Sequence, residues 1–303
     1  MMKRKLLALT LSALLIPASG AVLAQAKEKA PAKAAAPAKM NISGDVVKIA
    51  VLTDMSGVYS DLGGKGSVVA AEMAIEDFKA QHKPNFKIEL VSADHQNKAD
   101  IGSNKVREWY DTQGVDMVTD VLNSAVALAV AKVTTEKSKI MINAGAASTR
   151  LTNEDCAPNN VVHYVYDTYA LANGPGKAVT KQGKDTWFFL TADYAFGASL
   201  EKDTTDAVKA NGGKVLGSVR HPLNASDFSS FLLQAQASKA KVVGLANAGG
   251  DTINSIKAAN EFGLTKNQTI VGLLTTIIDI HALGLPTTQG MMFTEGYYWN
   301  LNN

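Results

Sequence analysis

The chain has 303 residues, with 30 basic and 28 acidic side chains giving a formal net charge of +2; 46% of it is hydrophobic and 19% charged. That balance excludes a chain too polar to bury a core and one that grips nucleic acid through its net charge. The only cysteine, Cys156, excludes an internal disulfide, and His82, His95, His163, His221 and His281 lie too far apart for a metal-ligand spacing, so no metal or cofactor is expected.

In chain order, Lys3, Arg4 and Lys5 precede the apolar run 6–16, then Pro17-Ala18-Ser19-Gly20 and Ala24-Gln25-Ala26. A basic start, a short apolar stretch and a small-x-small triplet make residues 1–26 a predicted export signal, removed after Ala26. The run is shorter than the roughly 20 apolar residues a membrane span needs. Residues 27–40 follow as a flexible linker, because "KEKAPAKAAAPAK" has no large apolar side chain to bury. About 260 residues remain, enough for one large or two ordinary domains.

From residue 46 onward, short apolar runs alternate with longer amphipathic ones. Strands are predicted at 47–52, 87–91, 117–121, 140–143, 187–190, 214–219, 241–245, 269–272 and 291–294. Helices are predicted at 66–81, 100–113, 125–137, 171–182, 198–211, 227–238 and 252–262. In the first of these Val68, Ala71, Ala74, Ile75 and Phe78 form one apolar stripe. Short apolar strands separated by helices imply parallel sheets covered on both faces. So many units suit two sheets better than one. The break falls near 165–170, where "YVYDTYALANG" interrupts the alternation.

The loop "MSGVYSDLGGKGS", residues 55–67, has the look of a phosphate cradle. The template G-x-x-x-x-G-K-[ST] places Lys65 correctly but requires glycine at Tyr59 and a hydroxyl at Gly66. The spacing of Gly57, Gly63, Gly64 and Gly66 also fails the dinucleotide pattern. What remains is a donor-rich turn before a helix, suited to an anion such as a carboxylate.

Ligands of open α/β sheets sit at the carboxyl ends of the strands. In the first sheet that selects the loops 55–66, 95–98, 123–124 and 144–149, the last a run of small residues ending in Ser148 and Thr149. In the second it selects 191–197 and 246–251, where Tyr194 and Phe196 can stack on a ligand and Asp193 and Asp251 can accept a hydrogen bond. For Asp251 a helix N-cap is the competing role. No G-x-S-x-G elbow or partnered histidine points to an enzyme.

"VKIAVLTDMSGVYSDLGGKGSVVAAEMAIEDF", "MINAGAASTRLT", "HYVYDTYALANG" and "ANAGGDTINSIKAANEFGL" resemble the periplasmic solute-binding proteins of ABC importers, more narrowly the leucine/isoleucine/valine-binding type. The resemblance runs from Val46 to Asn303. It implies two Rossmann-like parallel-sheet α/β lobes joined by a hinge, the type I periplasmic binding protein fold: a lobe at 41–165, a second at 166–296, and the start of a crossover back at 297–303. The fold implied would then be truncated at the C-terminus, leaving the first lobe short of part of its covering. It also implies a monomer that closes on a small ligand and hands it to permease subunits.

By motif, contacts to a ligand carboxylate are implied at Asn123, Ser124, Gly145, Ala146, Ala147 and Ser148, with Ser56 and Tyr59 lining the same lobe. The second lobe would add Tyr194, Phe196 and Asp251, and Tyr166 and Tyr169 would lie near the hinge. Two departures from amino-acid-binding members stand out: Ala146-Ala147 after the fourth strand, and the shorter Asp251 where a glutamate usually holds the ammonium. With "YDTYALANG", "GGDTIN" and "EGYYWN", they tilt the expectation toward an aromatic or other organic acid, with a branched-chain amino acid as the alternative ligand and an exported sensor module as the alternative role.

Overall fold

A computed structural model describes residue 40 and residues 42–296. The predicted export signal, almost all of the predicted linker and the predicted crossover at 297–303 lie outside the described residues. No helix among the described residues is long and apolar enough to cross a membrane.

The chain alternates strand and helix, as its apolar pattern predicts. Strands β1 (Val46–Thr53), β2 (Lys87–Asp94), β3 (Met117–Asp120), β4 (Ile140–Asn143) and β5 (Val161–His163) form one sheet in the order β2-β1-β3-β4-β5. Helices α1 (Gly64–His82), α2 (Ala99–Thr112) and α3 (Ser124–Glu136) connect the first four strands. Every pairing is parallel. Residues 164–167 then run to α4 (Thr168–Lys181), which opens the second half.

There β6 (Thr186–Ala192), β7 (Lys214–His221), β8 (Val242–Ala246) and β9 (Thr269–Gly272) pair in the order β7-β6-β8-β9, again all parallel. Helices α5 (Ala195–Ala210), α6 (Ser229–Ala237) and α7 (Gly249–Glu261) join them, followed by α8 (Ile277–Leu283) and α9 (Leu285–Thr288). The central strand β8 is buried at every position, as a strand covered on both faces must be. The predicted strand at 291–294 is not formed. Met292 makes a single bridge to Val271, after which Thr294 lies against Gly174 of α4 instead of continuing beside β9.

One face of the first sheet is sealed by α2 and α3 through Leu52, Val106, Trp109, Val118, Val126 and Val130. The other face is less well covered. Helix α1 lies over it, yet its only buried residue is Gly64. Of the predicted stripe, Ala71, Ala74, Ile75 and Phe78 face a cavity of about 550 Å³ instead of a filled interface. The expectation of two covered faces therefore holds for the second sheet and only half holds for the first.

Candidate functional site

The carboxyl ends of both sheets meet, and a small cavity of about 30 Å³ lies between them. From the first lobe it is walled by Tyr59, Leu62, Leu122, Ser124, Gly145 and Ala147. From the second it is walled by Tyr194, Phe196, Ala248 and Leu274. Space of that size holds little more than one water molecule. A ligand the size of an amino acid or benzoate enters only with the lobes apart.

The turn between β3 and α3 aims the polar end of this cavity. Asp120 and Val121 both adopt the left-handed region (φ 74° and 52°), a strained conformation for a β-branched residue. It delivers Asn123 as the N-cap of α3, its Oδ1 accepting from the N–H groups of Ala125 (2.9 Å) and Val126 (3.2 Å). The Ser124 N–H ahead of them stays outside that cap, at the positive end of the helix. Ser124 Oγ accepts from Ser148 N–H (3.2 Å) and keeps its own proton to donate. Gly145 must be glycine here: a Cβ would come 2.8 Å from the Leu122 Cα.

At the opposite wall the two tyrosines meet, one from each lobe, with Tyr59 Oη 2.5 Å from Tyr194 Oη. Burial raises both phenols above their ordinary pKa, so the pair stays neutral and one hydroxyl proton is always left to donate elsewhere. Further contacts join the lobes, three of them away from the 164–167 connection. Ser148 Oγ lies 2.6 Å from Ser199 Oγ, Gly250 N–H donates to the Val58 carbonyl (3.1 Å), and Thr149 Oγ1 donates to Asp203 Oδ2 (3.1 Å). Gly249 (φ 56°) permits the closest approach, since a Cβ there would stand 2.6 Å from the Val58 oxygen.

The glycine-rich loop is filled by the protein itself. The fully buried Asp54 carboxylate accepts from Gly57 N–H (2.7 Å), Tyr59 N–H (2.9 Å) and Asn97 Nδ2 (2.6 Å). Gly64 N–H donates to Thr53 Oγ1. The donors that make the loop resemble an anion cradle thus bind an internal anion, and only the Tyr59 and Leu62 side chains reach the cavity. Ser56 is exposed and donates its hydroxyl to Asp94 (2.6 Å).

Of the residues expected at the site, Tyr59, Ser124, Gly145, Ala147, Tyr194 and Phe196 line the cavity. Ala146 and Ser148 are buried directly beside it. Asn123 is committed to its helix cap. Tyr166 stands at the chain crossing, with Gly296 against its ring, and Tyr169 is exposed on a separate polar groove with Arg150 and Asp203.

Asp251 is turned away from the cavity. It lies within the first turn of α7, not at its N-cap, which is Ala248. Its two oxygens accept from the backbone N–H groups of Asn224 (3.0 Å) and Ala225 (3.1 Å), and burial pushes its pKa up to about 6 against those two bonds. Asp193 is exposed and paired with Arg220. Leu62 and Ala248 lie in the selected loops 55–66 and 246–251 but were not singled out, and Leu122 and Leu274 were not anticipated; Leu274 follows the carboxyl end of β9, the strand-end rule that selected the other loops.

The match to a family model settles the family. Residues 46–303 match the periplasmic binding protein family. The chain belongs to it. Among solved structures, a periplasmic binding protein from Burkholderia mallei is 60% identical with a TM-score of 0.82, covering 85% of this chain and 68% of that one. A branched-chain amino acid ABC transporter periplasmic ligand-binding protein from Burkholderia xenovorans is 37% identical (TM-score 0.67) with the same coverages. An R. palustris ABC transporter solute-binding protein, solved in complex with benzoate, shares the fold at 21% identity and a TM-score of 0.73, over 85% of this chain and 70% of that one. The chain spans 65% of the length of the curated Brucella melitensis relative it matches, a Leu/Ile/Val-binding protein homolog 24% identical over 261 residues.

Proposed function

We propose that this protein is the periplasmic ligand-binding component of an ABC importer of the branched-chain amino acid type, exported by residues 1–26 and working as a monomer with permease subunits. Its ligand is a small carboxylic acid with an aromatic body, held between the lobes. One observation carries the choice of ligand: no cavity-lining residue is acidic, and Asp251, the residue expected to pair with an ammonium, already has both oxygens bonded within its own lobe. The Ser124 N–H and hydroxyl suit a carboxylate, Phe196, Leu62 and Leu122 suit a ring, and the tyrosine pair suits a second polar group. Benzoate in the R. palustris structure fits this chemistry.

Binding follows from hinge motion. Ligand docks on the first lobe, and closure adds Tyr194 and Phe196. Two hydrogen bonds to a charged carboxylate contribute roughly 1.5–3 kcal/mol each, and an apolar ring buried at about 25 cal/mol per Å² extends this to micromolar affinity.

Thermal unfolding against benzoate, 4-hydroxybenzoate, leucine, isoleucine and phenylalanine tests the reading. A ligand at 100 times its Kd adds about 2.7 kcal/mol to stability, a rise of several degrees. A rise with the aromatic acids alone supports it. A rise with the amino acids alone transfers the site to the reading that the Burkholderia xenovorans and Brucella names favour.

A further inference from the structure

The strand-end rule selects the loop 95–98 along with the others, yet none of its residues lines the cavity. Its half-buried Asn97 stands between two elements that do. Nδ2 of Asn97 donates to Asp54 Oδ2 (2.6 Å), and its Oδ1 accepts from Asn123 Nδ2 (3.2 Å). Asp54 Oδ2 also holds the N–H of Tyr59 (2.9 Å), whose side chain walls the cavity. Asn123 Oδ1 holds the first turn of α3, where Ser124 forms the polar end.

Chemistry fixes the direction of this relay. A carboxylate oxygen accepts, so Asn97 must turn its nitrogen to Asp54 and its oxygen to Asn123. The α3 N–H groups donate, so Asn123 must turn its oxygen to them and its nitrogen to Asn97. Neither amide can flip without setting donor on donor and acceptor on acceptor. Aligned hydrogen bonds strengthen one another, and these run from the positive end of a helix to a fully buried carboxylate.

The local backbone serves the same end. Asn97 has φ 57°, a region asparagine enters more readily than most residues. Its N–H donates to His95 Nδ1 (3.0 Å). Burial lowers the His95 pKa to about 4, so that nitrogen stays an acceptor at neutral pH. Gly57 leaves the room, since a Cβ there would stand 2.9 Å from Asn97 Nδ2.

We propose that Asn97 is a positioning residue that couples Tyr59 to Ser124 and so selects ligands by the distance from their carboxylate to their second polar group. The selection rests on the aromatic-acid reading above; the coupling rests on the hydrogen bonds alone.

The test compares wild type with Asn97→Gly, which suits the left-handed backbone and removes the side chain, and with Asn123→Ser, which keeps a cap on α3 but loses the amide that reaches Asn97. In calorimetric titration each variant is expected to weaken 4-hydroxybenzoate, with its two polar ends, about fivefold, and benzoate less than about twofold. The double variant should be no weaker than the worse single one. In unliganded protein, amide exchange should quicken at Tyr59, Ala125 and Val126 together in either variant, with β6 to β9 unchanged. Asn97→Asp keeps the shape but turns an oxygen on Asp54, so it should exceed Asn97→Gly on both readouts; a space-filling role would leave it like wild type. Equal weakening of the two acids would overturn the proposal. So would exchange that quickens only at Tyr59 in one variant and only at Ala125 and Val126 in the other. Wild type that takes neither acid overturns the ligand reading, and the exchange pattern then decides the coupling by itself.

Discussion

At the scale of single residues, Asp251 shows how the same side chain type serves two ends. A carboxylate near a cleft can clamp an ammonium, but this one holds the backbone of the β7–α6 loop at Asn224 and Ala225. Its pKa, raised to about 6 from 3.8 by burial, gives it a definite pH signature. The folded state binds its proton more tightly than the unfolded chain, so its contribution is greatest below about pH 4 and declines as pH rises to about 6. Comparing Tm for wild type and Asp251→Asn cancels the other titrations. The stability advantage of wild type is expected to fall by up to about 3 kcal/mol between pH 4 and 7. A difference that is flat with pH would mean the carboxylate is as well solvated folded as unfolded.

At the scale of elements, the α3 N-terminus joins fold and function. Asn123 occupies two first-turn N–H groups so that Ser124 can face the cavity. Asn123→Ala is expected to lower stability by about 1 kcal/mol, read as a lower urea midpoint at unchanged slope. Strand and helix alternation was legible from β1 to β4 and from α4 to β9, because each strand there is a short apolar run and the helices between them are longer; β5, α8 and α9 were missed and the strand expected at 291–294 is not formed. The cavity walls at Tyr59, Ser124, Gly145, Ala147, Tyr194 and Phe196 were legible through the strand-end rule and the family motifs. What the sequence hid was partnership. Nothing in "MSGVYSDLGGKGS" announces that Asp54 one residue earlier takes up its donors. Nothing near Asp251 announces a loop 26 residues upstream waiting for its oxygens. Strand β5 is only three residues long, too brief to show a pattern.

At the scale of the whole molecule, the two lobes are held shut by few polar contacts. Ser148 and Ser199 form the most buried of them, and their hydroxyls are close enough to exchange a strong hydrogen bond. Replacing either serine with alanine is expected to weaken ligand binding up to about tenfold, equivalent to about 1.4 kcal/mol. The double variant should be no weaker than the worse single one, because both changes remove the same bond. Additive losses in calorimetric titration would show that each serine acts through other partners.

The apolar contacts between the lobes carry a thermal consequence. Tyr59 and Ala147 belong to one cluster with Leu171, Phe196, Ala248 and Leu274, and Leu62 and Leu122 pack against it. This cluster therefore spans the cleft, and each opening wets part of it. Closure on a ligand should carry a negative heat-capacity change larger than the ligand's own surface accounts for. Titrations repeated between 10 and 35 °C are expected to show binding heat growing steadily more exothermic. The protein would then register temperature through the water that its cleft admits and expels.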